Sequence, residues 1–168
     1  MRKNTRHLVH SAIIAALYVV LTHLQNLLFP GSATFAIQFR ASEALCVLSF
    51  FTPAAIPGLT LGTLLFNIST SALPLDFLLG SLATLVAAVS MRKCRNLTVK
   101  GYPLLGMLMP ALWNGLIIGL ELAVIIGGGF LYNAVTVAIG EGAVLLTLGS
   151  ALYYALRLRN LDQKLFSQ

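Results

Sequence analysis

Residues 103–126 read P-L-L-G-M-L-M-P-A-L-W-N-G-L-I-I-G-L-E-L-A-V-I-I, twenty-four positions with a single charge, Glu121. At 1.5 Å rise per residue a helix of this length covers about 36 Å, more than the roughly 30 Å hydrocarbon core of a bilayer. Small residues recur at Ala111, Gly115, Gly119 and Ala123, a four-residue ladder. Such a ladder lets a neighbouring helix approach closely in lipid, where hydrophobic burial gives no driving force for association. Asn114 and Glu121 lie seven residues apart, two turns, on a face about 100° from the ladder. One side of the segment can therefore pack while another looks into a cavity.

The rest of the chain has the same character. Its 168 residues are 58% hydrophobic and 10% charged, with mean hydropathy +0.88, a balance that one soluble core cannot hide. Apolar runs at residues 8–29, 42–51, 55–69, 75–91, 103–126 and 133–156 predict an all-α integral membrane protein, with six transmembrane helices in a single domain over residues 1–168. The second and third runs are short. Pro53 and Pro57 interrupt what would otherwise be one stretch and place a tight turn between two helices. The first run follows Arg2, Lys3 and Arg6 like a signal peptide, but it is long enough to span and no small-residue cleavage site ends it. It reads as a retained helix.

Short loops rich in Lys and Arg face the cytoplasm. With both termini inside, Arg2, Lys3, Arg6, Arg92, Lys93, Arg95, Lys100, Arg157, Arg159 and Lys164 are cytoplasmic, ten of the eleven basic residues. Arg40 alone lies outside, within the polar run Gln38-Phe39-Arg40-Ala41-Ser42-Glu43. The net charge of +6 is accounted for by topology, without the aromatic interleaving of a nucleic-acid face. Cys46 and Cys94 fall at different depths and imply neither a disulfide nor a metal site.

The carboxylates are biased the other way. Glu43 and Asp76 open the second and fourth spans from outside, Glu121 lies roughly 8 Å below the outer end of the fifth, and Glu141 roughly 12 Å into the sixth. Asn67 and Asn114 join them. Ionisable groups inside a span cost at least roughly 2.5 kcal/mol unless paired or hydrated, so this set predicts a polar pocket open to the outside. Carboxylates only accept hydrogen bonds, which suits a ligand rich in N–H donors or positively charged, such as the amidine-like edge of a purine-type ring. Bland readings stand beside this one. Arg40 and Glu43 also fit an interfacial ion pair, Asp76 a helix cap, and Asn67 and Asn114 interhelical hydrogen bonding. Trp113 fits a pocket wall or plain packing, and His23 a polar accessory rather than a ligand. Glu121 and Glu141 are the strongest candidates because they lie well inside spans. The chain has no G-x-x-x-x-G-K-[ST] loop, no nucleophile elbow and no H-E-x-x-H, so neither ATP hydrolysis nor catalysis is expected, and no cofactor.

The run Q38-F-R-A-S-E-A-L45, then F50-F-T-P-A-A-I-P-G-L59, G80-S-L-A-T-L85 and the Gly140-Glu141 pair, resembles the QueT family of queuosine-precursor transporters. These are substrate-binding S components of energy-coupling factor (ECF) importers. The resemblance covers nearly the whole chain. It implies an S-component-like bundle in a prokaryotic plasma membrane that captures a 7-deazaguanine compound from outside. ATP-driven uptake would need a transmembrane coupling subunit and two cytoplasmic ATPases, docked in part on Ala12 and Ala16 of the first helix; packing within the chain is the other reading of that pair. Glu141 or Glu121 would take the guanine-like edge, Asn114 the ring carbonyl and an N–H, and Trp113 would stack on the ring. Gln38, Arg40 and Glu43 match the family pattern and would touch ligand or lock the outer loop. Ser49 departs from the proline expected before the phenylalanine pair.

Two other classes compete. A stand-alone proton-coupled carrier or channel would use the acids as a relay, but few polar residues continue inward below Asn114. An intramembrane enzyme would need a reactive group opposite a carboxylate, for which His23 is the one candidate.

Overall fold

A backbone surrounded by lipid must satisfy its own N–H and C=O groups, so each apolar run of this chain becomes a helix. The computed structural model describes residues 3–30, 39–70 and 74–160, apart from the side chains of Lys3, Pro74 and Asp76. Six helices account for most of them: α1 (Lys3–Leu28), α2 (Ala41–Phe51), α3 (Ala55–Thr70), α4 (Pro74–Lys93), α5 (Leu104–Ile125) and α6 (Phe130–Leu158). Only an isolated bridge between Val99 and Tyr102 interrupts the helical pattern among the described residues. Four helices, α1, α4, α5 and α6, are long and apolar enough to cross a membrane; α2 and α3 are shorter. The chain is a multi-pass membrane protein.

Small residues set the seams. On α3, Gly58 lies against Ser11 and Ile14 of α1, and Gly62 against Ala15 and Tyr18, so α1 and α3 run parallel. On α5, Gly115 meets Ala134 and Ala138 of α6, Gly119 meets Ala134, and Ala111 meets Gly142, which makes that pair antiparallel. The expected ladder on the fifth helix is thus the α5–α6 seam. α1, α3, α4, α5 and α6 follow one another round an arc, each packed on the next, and α2 touches all five. Its Ser42, Glu43, Ala44, Cys46, Val47, Leu48, Ser49 and Phe50 are all buried. Most of α2, Ala41–Val47, is wound as a 3-10 helix before one α-turn.

The loop between α5 and α6 is built on Gly127, Gly128 and Gly129, with φ of +89°, +84° and +82°. L-residues avoid that region, so the run ends α5 and lets α6 restart at Phe130, earlier than the apolar pattern suggested. Further on, Leu145–Gly149 forms a π-helical turn, four residues after Glu141. Arg92, Lys93, Arg95, Lys100 and Arg157 gather where α4 ends, α5 begins and α6 ends. By the distribution of Lys and Arg this is the cytoplasmic end.

Candidate functional site

The polar residues that face inward come from every helix: Tyr18 and Thr22 of α1, Arg40 just before α2, Ser42 and Glu43 on it, Thr63 and Asn67 of α3, Thr84 of α4, Asn114 and Glu121 of α5, Asn133 and Glu141 of α6. All are buried. They occupy the middle and the far half of the bundle from the basic end.

The entry to α2 is pinned by α1. Gln25 donates to the Phe39 carbonyl and its Oε1 accepts from the Ala41 N–H at 2.7 Å, while Thr22 donates to Ser42 Oγ at 2.7 Å. The extended backbone at Arg40 (φ −101°, ψ 106°) then carries its side chain into the bundle, where only 8% of it remains exposed. The guanidinium lies 5.6 Å from the centroid of Phe66. It also hydrogen-bonds Tyr18 and stands within electrostatic reach of Glu43 and Glu141. A single guanidinium faces two carboxylates.

Those two carboxylates differ in one decisive respect. Tyr18 donates its hydroxyl to Glu43 Oε1, and Cys46 donates its thiol to Oε2 at 3.1 Å. Both oxygens of Glu43 are therefore engaged by the protein. Glu141 shares a side-chain hydrogen bond with Asn114, but its Oε2 is buried with no hydrogen-bond partner among the described residues. The same holds for the amide nitrogen of Asn67. Gly80 makes room for that amide, since a Cβ there would collide with Asn67 Nδ2. A buried polar atom with no partner costs roughly 1–3 kcal/mol, so the acceptor on α6 and the donor on α3 are the two atoms of this interior that most need one.

The structure brings Arg40, Glu43, Asn67, Asn114 and Glu141 into this interior, with Glu121 buried on the same helix as Asn114. Glu141 is deeper than expected, eleven residues or roughly 16 Å into α6, because that helix starts at Phe130. Trp113 stands apart: its Nε1–H donates to Ser90 Oγ at 3.0 Å on the α4–α5 seam, one helical step from the face of Asn114. His23 bonds Ser69 at 3.1 Å and meets Phe66 edge-on. Ala12 and Ala16 are exposed on α1 among the described residues. Gln38 lies outside the described residues, and Asp76 opens α4 with its side chain likewise outside them. No group of His, Cys, Asp and Glu among the described residues could hold a metal ion.

Sequence reasoning missed Tyr18, Phe66, Cys46 and Asn133 as parts of this interior. Tyr18 had a usable signal, because Ser11, Tyr18 and Thr22 recur at helical spacing on the face that meets α2 and α3. Phe66 and Cys46 had none, being ordinary members of apolar runs. Asn133 donates to the Gly127 carbonyl at 2.8 Å and so ties down the glycine loop.

Comparison with known proteins places this geometry in a family. The family described as QueT transporter matches residues 8–158. A curated relative, "Queuosine precursor transporter QueT" of Lactococcus lactis subsp. cremoris (strain MG1363), is 38% identical over 88 residues, 51% of this chain and 48% of the relative. The chain thus aligns with about half the length of that relative. No solved structure matches. With α2 to α6 and all of α1 but its first five residues inside the matched range, the chain belongs to the QueT transporter family.

Proposed function

We propose that this protein is the membrane-embedded S component of an ECF importer and captures a queuosine precursor of the 7-deazaguanine class from outside, for ATP-driven uptake with a transmembrane coupling subunit and two cytoplasmic ATPases. Membership of a transporter family and the name of the relative support transport of such a precursor. The observation that carries the reading is the buried, unfilled Glu141 Oε2. A guanine-type edge presents adjacent N–H and NH2 donors, and a carboxylate accepts both in two-point fashion. Asn67 Nδ2 supplies the complementary donor for a ring carbonyl, and Asn114 holds the other side of Glu141. Arg40 and Glu43, whose groups already engage Tyr18 and Cys46, act as the wall that fixes the local charge. Glu121 lies further out on α5 and would serve a second donor or a cationic substituent.

For the coupling subunit, Ala12 and Ala16 offer two small side chains one turn apart on α1, both exposed among the described residues. The test of the binding role is calorimetry in detergent with a 7-deazaguanine precursor on the wild type and on Glu141→Gln. Hydrogen bonds to a charged group contribute roughly 1.5–3 kcal/mol each, so the substitution should weaken binding about ten- to a hundred-fold. Equal affinity of the two proteins would remove Glu141 from the site.

A further inference from the structure

We propose a second ligand site, at the basic end of the bundle, that seats the phosphate of an anionic phospholipid headgroup. A cleft of about 180 Å³ opens there, lined by Phe50 and Phe51 of α2, Arg95 and Asn96 after α4, and Tyr153 and Arg157 of α6. A second cleft of about 440 Å³ lies on the other side of Arg95 and Asn96 and adds Arg92 and Lys93. No carboxylate is among the residues described as lining either one. Four cations, Arg92, Lys93, Arg95 and Arg157, thus line two clefts that share Arg95 and the amide of Asn96.

The arrangement is more than the scatter of positive charge that topology requires. Arg157 is held in place: it donates to the Gly101 carbonyl at 3.3 Å and to the Tyr153 hydroxyl at 2.9 Å, and its guanidinium carbon lies 5.6 Å from the Tyr153 ring centroid. Arg92 is held by the Ser49 carbonyl at 3.1 Å. Guanidiniums fixed in this way lose little freedom on meeting an anion, and their planar fork matches two phosphate oxygens. Asn96 can donate to a third.

The surroundings favour a lipid over free phosphate. Phe50 and Phe51 form the apolar wall of the cleft. Leu104 and Leu105 in the first turn of α5, and Tyr154 and Leu158 in the last turns of α6, are exposed beside it. A diacyl phosphate lays its chains along that surface while its headgroup enters the cleft; an inorganic anion makes no use of it. Basic pockets between helices at the cytoplasmic boundary suit anionic headgroups for this reason.

The test is native mass spectrometry of the full chain released from micelles containing phosphatidylglycerol or phosphatidylcholine. The wild type should retain phosphatidylglycerol and not phosphatidylcholine. Arg95→Gln should lower retention about fivefold, the loss of one juxtamembrane cation, while Lys100→Gln, a basic residue at the same end but outside both clefts, should leave it unchanged. Arg157→Gln should lower it as well; because that change also frees the Gly101 turn, Arg95 carries the argument. Equal retention of the two lipids, or equal loss in Arg95→Gln and Lys100→Gln, would overturn the site. Full displacement of the lipid by millimolar inorganic phosphate would overturn the lipid as its occupant.

Discussion

Replacing Gly119 by alanine tests the α5–α6 seam between the helices that carry Asn114 and Glu141. A Cβ at this position would stand 2.6 Å from Ala134 Cα, 2.7 Å from its nitrogen and 2.9 Å from its Cβ. Carbon atoms pack at about 3.5–4.0 Å, and main-chain atoms cannot rotate out of the way, so α6 must retreat from α5 by about 1 Å. Overpacking of this kind costs roughly 1–3 kcal/mol. The better helix propensity of alanine returns about 1 kcal/mol, leaving a net loss of up to roughly 2 kcal/mol. At about 2–4 °C per kcal/mol for a chain of this size, the melting temperature in detergent should fall by up to roughly 8 °C. Ala134 lies two turns from Glu141 on α6, so the displacement also moves the carboxylate, and the stabilisation conferred by a bound precursor should shrink with it. Gly142→Ala is the control. Its Cβ would meet only Ala111, at an ordinary 3.9 Å, so it gains the propensity term without the clash and should melt at or above the wild type. A Gly119→Ala protein as stable as Gly142→Ala would refute the close α5–α6 approach.

Tyr18→Phe removes the hydroxyl that Glu43 and Arg40 share; the cost of leaving buried partners short is about 1–3 kcal/mol, and an unchanged melting curve would show that Glu43 is held by other means. Asn67→Ala should behave oppositely: the amide nitrogen it deletes has no hydrogen-bond partner among the described residues, so the ligand-free protein should melt within about 1 kcal/mol of wild type while the shift produced by a 7-deazaguanine precursor diminishes, and a full-sized shift would discard Asn67 as a contact. Uptake of the precursor by cells making this chain should require co-expressed coupling and ATPase subunits; uptake by the chain alone, without ATP, would instead favour a stand-alone carrier.

Much of the fold was legible because lipid imposes a simple rule, and apolar runs punctuated by Pro53, Gly127 and basic loops are hard to misplace. The ladder from Ala111 to Ala123 was readable as a packing face for the same reason: only small residues allow backbones that close. Glu43, Glu121 and Glu141 were legible as inward-facing residues because each is expensive inside a span. The division of labour among them was not. Glu43 and Glu141 look alike in sequence, and only the placement of Tyr18 and Cys46 shows that one is already engaged and the other has an oxygen to offer. Trp113 was ambiguous because adjacent residues on a helix point about 100° apart, so proximity to Asn114 in sequence said nothing about sharing its face.

The shortness of α2 has the same origin as the site. A lipid-facing helix must satisfy a rule of length, but a helix touched by five others is solvated by protein, and irregular backbone is tolerated at membrane depth only under such cover. Freed from the length rule, α2 can wind as a 3-10 helix over Ala41–Val47 and begin deep enough to present Arg40 and Glu43 inside the arc. The opposite wall of the arc is α6, where Glu141 sits four residues before the π-helical turn Leu145–Gly149, which itself packs on α2. Two departures from regular helix therefore meet next to the unfilled carboxylate. Stretches of 3-10 and π-helix often mark a hinge or a functional position in a helix, and here one lies on α2 and the other on α6, in contact with each other. The far end of α2, Phe50 and Phe51, lines the smaller of the two basic clefts.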